Sequence, residues 1–94
     1  MKPIDFSALP GGDLVRQGFE DLDAGRETEA ALLVLIGAPR LRGLGLRVPQ
    51  GNSNSPEHRL YDLLAGSDVD SAHSRYNALV RRLVRFERAL GCVT

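Results

Sequence analysis

The 94-residue chain is expected to fold as an all-α domain, a compact bundle of four to five helices with a long C-terminal helix. Three observations carry that expectation. Apolar residues recur at helical spacing in residues 13–24, 56–66 and 71–90, each stretch bounded by a cap or turn signal. The run Ala30 to Ile36 is apolar throughout and follows a good N-cap, Thr28. No second run of similar character exists to pair with it as a strand, and an isolated strand is unstable.

Residues 1–12 read as an irregular lead-in closed by Pro10-Gly11-Gly12. Gly12 or Asp13 then caps a helix to about Ala24. Val15, Phe19 and Leu22 form its apolar stripe, with Gly18 beside them. Arg16, Glu20, Asp21 and Asp23 are expected to face away, and Gly25 to end the helix in the left-handed conformation. Residues 30–36 carry no polar side chain, so the helix they form must be covered on every side and is the expected central helix. Gly37 and Pro39 should end it and open a short further helix, with Leu41 and Leu44 on its apolar side.

Residues 47–55 are polar and turn-rich, a surface loop. Ser55-Pro56-Glu57 marks the next helix start, with Leu60, Leu63 and Leu64 on its buried side and Gly66 at its end. Ser67 to Asp70 resembles a capping box for the last helix, which should run to about Leu90 and leave 91–94 as a tail. Along it Tyr76, Leu79, Leu83, Phe86 and Leu90 step by three and four, a coiled-coil-like seam widened by Ala72, Val80 and Val84.

Composition bounds the function only loosely. The length fits one domain, residues 1–94, and the 43% hydrophobic and 26% charged content is that of an ordinary globular protein. A formal net charge of zero gives no global pull toward nucleic acid or an anionic membrane. The charge is nevertheless blocked: residues 1–37 carry net −4, 38–60 net +3, 61–70 net −3 and 71–94 net +4. The single cysteine, Cys92, has no partner for an intrachain disulfide, so a reducing compartment, the cytoplasm, is expected. Residues 1–9 lack the apolar stretch of a signal peptide, and the run from Ala30 to Pro39 is about half a membrane span.

Arg81, Arg82, Arg85 and Arg88 cluster opposite the seam of the last helix, the footprint of a candidate anion or nucleic-acid face. A solvated outer face explains the same pattern, and no aromatic residues are interleaved for base stacking. Glu87 falls inside the apolar seam, about 20° from Tyr76 on a helical wheel. A carboxylate buried there needs an arginine, with Arg40, Arg42 and Arg59 as candidates, or a path to solvent, or a raised pKa.

His58 with Asp62, and His73 with Asp68 or Asp70, fall short of the three or four converging ligands that zinc requires. Gly11-Gly12 and Gly37-Ala38-Pro39-Arg40 lack the remaining glycines and the Lys-Ser/Thr ending of a phosphate loop. No catalytic, cofactor-binding or metal-ligating residue is therefore assigned.

The expected function is that of a small non-catalytic interaction protein that self-associates or docks on a protein partner. Its candidate interface is Tyr76, Leu79, Leu83, Phe86, Glu87 and Leu90. The last helix, about 30 Å long with a wide apolar face, is expected to exceed what its short neighbours can cover, which favours a homodimer. The alternative is a nucleic-acid-binding module using the arginine face. No membrane role is expected.

Overall fold

A computed structural model describes residues 8–51 and 55–93, and among these the only regular elements are four helices: α1 (Gly12–Asp23), α2 (Glu29–Gly43), α3 (Pro56–Ser67) and α4 (Ala72–Val93). Residues 1–7 of the expected lead-in and 52–54 of the expected loop lie outside the described residues.

The central position of α2 follows from its composition. Ala30, Ala31, Leu32, Leu33, Val34, Gly37, Ala38 and Leu41 are all buried, and α2 packs against each of the other three helices. Thr28 caps it as expected, its hydroxyl accepting the Ala31 N–H at 3.1 Å. Consecutive helices run back along one another. Gly18 of α1 lies against Ala30 and Val34 of α2. Pro56 of α3 lines one surface recess with Leu35 and Pro39, while Arg59, farther along α3, reaches Glu27 at 2.7 Å. On α4, Arg75 meets Glu29 near the start of α2, and Leu83 and Glu87 meet Gly37 farther on.

Four boundaries and one loop differ from the sequence expectation. The fifth helix does not exist as a separate element: α2 continues unbroken through Gly37 and Pro39 to Gly43. Pro39 itself sits on an exposed side, whereas Ala38 and Leu41 beside it are buried. Their burial holds the backbone helical across a residue that removes one hydrogen bond. At the other end of the chain, α4 runs on to Val93, so no tail begins at residue 91. Leu90 is fully buried there, and that anchors the last turns.

The capping box at Ser67 does not form either. Ser67 closes α3, and Asp68 turns the chain by accepting the Asp70 N–H at 3.1 Å, so that α4 starts only at Ala72. The cap of α1 is Gly11 rather than Gly12 or Asp13. Finally, the segment after α2 is less loop-like than its polarity implies, because Val48 is buried and its carbonyl accepts from Arg42 at 3.4 Å.

Asp21 is the largest departure in α1. Expected to face solvent, it is 4% exposed. Its carboxylate accepts the Thr28 hydroxyl at 2.6 Å, the Gln17 amide at 3.0 Å and the Arg26 guanidinium at 2.9 Å. The chain can fold back this tightly because Gly25 takes a φ of 74°. The Gly25 and Arg26 N–H groups then bond the carbonyls of Leu22 and Asp21, which satisfies the end of α1.

The Thr28 hydrogen bond, with Gln17 and Arg26, holds the Asp21 carboxyl below the usual range despite its burial. Its folded pKa therefore lies under the unfolded one, so the ionised group stabilises the fold at neutral pH. That stabilisation is lost as pH falls through the folded value. Asp21→Asn is expected to cost about 1–3 kcal/mol near neutral pH. In urea titrations across the acid range, its deficit relative to the parent should shrink as pH falls; a constant deficit would refute the ionised-hub reading.

Candidate functional site

The expected interface residues separate into two groups. Leu83, Phe86 and Leu90 are 3%, 0% and 0% exposed within the single chain, so in this fold they are core rather than surface. The broad face of α4 is covered by several neighbours at once: α2, α3, and the Gly11 turn, which lies beside the Arg82 carbonyl and the Phe86 Cβ. These three residues are therefore covered within one chain, without the second copy that the width of the α4 face led one to expect. Tyr76 and Leu79 remain half-buried at the margin.

Tyr76 faces Tyr61 of α3, with ring centroids 6.0 Å apart and planes tilted by 56°, a favourable aromatic arrangement. Tyr61 is 39% exposed, and Val69, in the turn between α3 and α4, is 74% exposed. Among the described residues these are the two exposed large apolar side chains. Both lie on the α3–α4 hairpin. Sequence reasoning missed them as surface features: Tyr61 neighbours the buried Leu60, and Val69 lay within the supposed capping box.

Glu87 is buried, as its place in the seam implied, at 7% exposed. Gly37 makes room for it: a Cβ at that position would lie 3.2 Å from the Glu87 Oε2 and 3.0 Å from the Leu83 methyl groups. Of the three candidate arginine partners, Arg59 is engaged by Glu27 and Arg42 by the Val48 carbonyl. Arg40 alone acts on Glu87. Burial pushes the Glu87 carboxyl above its ordinary range, and the charge of Arg40 pulls it only part of the way back. Arg40, Val84, Glu87 and Arg88 together line an open cleft of about 280 Å³ between α2 and α4.

The four expected face arginines, Arg81, Arg82, Arg85 and Arg88, are all exposed. Arg82 reaches Asp13 of α1 at 3.6 Å, an exposed pair of small energetic weight. Cys92 is exposed. His58 pairs with Asp62 at 3.4 Å on an exposed helix face, and His73 contacts Asn77 at 3.2 Å. No group of three or more potential metal ligands converges among the described residues. No helix among them is long and apolar enough to cross a membrane.

Comparison with known proteins finds no matching family model, no matching curated protein and no matching solved structure.

Proposed function

We propose that this chain is a small non-catalytic helical interaction protein that docks on a protein partner, or on a second copy of itself, through its α3–α4 hairpin. The observation that carries the reading is the concentration of exposed apolar surface there: Val69 at the tip, and Tyr61 tilted against the half-buried Tyr76 along its length. Aromatic side chains favour interfaces because they bury much area at little entropic cost. A reducing, cytoplasmic setting is in keeping with one exposed cysteine.

Light scattering across a dilution series tests the self-association form. The proposal expects a mass above 10.2 kDa that falls on dilution and is abolished by Tyr61→Ser with Val69→Ser. A monomer at all concentrations restricts the reading to a different protein as partner. The proposal then requires that the double variant weaken capture of that partner, and unaltered capture would refute it.

A nucleic-acid-binding reading retains one specific support: Arg81, Arg85 and Arg88 form no ion pair among the described residues and lie within about 60° of arc on α4. It expects binding of a labelled oligonucleotide that weakens steeply with salt and is lost in an Arg81, Arg85, Arg88 triple alanine variant.

A further inference from the structure

We infer that the cleft between the C-terminal halves of α2 and α4 binds a small carboxylate, held by Arg40 and Arg88 above the carboxyl group of Glu87. This cleft shares no residue with the Tyr61, Val69 and Tyr76 surface of the α3–α4 hairpin and does not depend on its docking role.

The starting point is the position of Glu87 in the chain. It occupies a register of α4 between Leu83 and Leu90 that an apolar side chain would fill without penalty. Glu87 as a residue is 7% exposed, yet its carboxylate makes no hydrogen bond or ion pair among the described residues. No buried side-chain oxygen among those residues lacks a partner, so the Glu87 oxygens are not sealed in the core; they open onto the cleft. The absence of a side chain on Gly37 leaves the floor wide enough for them.

Charge selects the class of ligand. The charged group that acts on Glu87 is Arg40 from α2, and Arg88, next along α4, lines the same cleft; α1 and α3 contribute no lining residue. Two guanidinium groups against one carboxylate leave the cleft net positive, which favours an anion over an amine. Guanidinium groups recognise carboxylates through paired N–H donors, and Val84 offers an apolar wall for a short aliphatic tail. An anion seated on the two arginines is repelled by an ionised Glu87 and favoured by a protonated one, which then becomes a hydrogen-bond donor. Burial already disposes Glu87 toward the protonated form. Binding should therefore take up a proton, and affinity should rise as pH falls from neutrality toward the raised folded pKa of Glu87.

The test is a titration of the isotopically labelled protein with butyrate, followed by amide correlation spectra, with uncharged butyramide as the control. Butyrate at about 10 mM should shift the Gly37, Glu87 and Arg88 amides in saturable fashion, and butyramide should not. Arg40→Ala and Arg88→Ala should each weaken binding about tenfold or more while keeping a native-like spectrum, since both residues are exposed. Glu87→Gln should bind butyrate with an affinity that no longer varies with pH. Absence of saturable shifts, equal shifts with butyramide, or unchanged affinity in both arginine variants would overturn the site. Persistent pH dependence in Glu87→Gln would overturn the role given to Glu87.

Discussion

Leu33→Ala is expected to destabilise the domain by about 2–5 kcal/mol, a large share of the 5–15 kcal/mol that typically separates a folded domain from its unfolded chain. Leu33 is 0% exposed on the helix that touches all three others, so the cavity left by truncation is walled on every side and cannot collapse easily. Leu35, two residues on, provides the internal control. It is only partly buried and packs on the loop at Gly51, so Leu35→Ala should cost clearly less. Urea melts of the two variants would decide the matter. Equal losses would mean that α2 is not the centre of the core.

Gly18→Ala is expected to be nearly as damaging, by about 1–3 kcal/mol, although alanine is the better helix former by about 1 kcal/mol. A Cβ at Gly18 would collide with the Ala30 carbonyl oxygen and the Val34 Cγ2, and the first of these is backbone. The contact can be relieved only by moving α1 away from α2 as a unit, which loosens Val15 and the rest of the α1 stripe together. Gly66 in α3 provides the contrast, since a Cβ there meets nothing within 4 Å. Gly66→Ala should be neutral or stabilising by up to about 1 kcal/mol. The pair separates packing from propensity: if both substitutions stabilise, the close approach of α1 and α2 is wrong.

The sequence by itself determined the all-helical class, the central place of α2 and the apolar register of α4, though not that the chain's own helices cover Leu83, Phe86 and Leu90. Each of these follows from local chemistry. Seven consecutive apolar residues after a threonine cap admit few alternatives, and Leu83, Phe86 and Leu90 keep a helical period that only one face can satisfy. The burial of Glu87 was legible for the same reason, because its register placed it among those residues.

Tertiary structure alone decided the rest. Pro39 looked like a helix end because its ring removes a hydrogen bond, a local cost. The burial of Ala38 and Leu41 outweighs that cost, and no sequence pattern records which neighbours will supply the burial. Asp21 looked solvated because it lies off the apolar stripe of α1. Its partners Arg26 and Thr28 lie beyond the end of α1 and arrive only when the chain reverses at Gly25, so the wheel of α1 does not place them beside it. That Arg40 rather than Arg42 or Arg59 stands beside Glu87 was likewise set by how α2, α3 and α4 pack, which brings only Arg40 of the three to the Glu87 cleft. The seam of α4 seemed too wide for one short helix to cover, and it was. Several neighbours share that face, including the turn at Gly11, because packing in three dimensions divides a surface among elements that are distant in the chain.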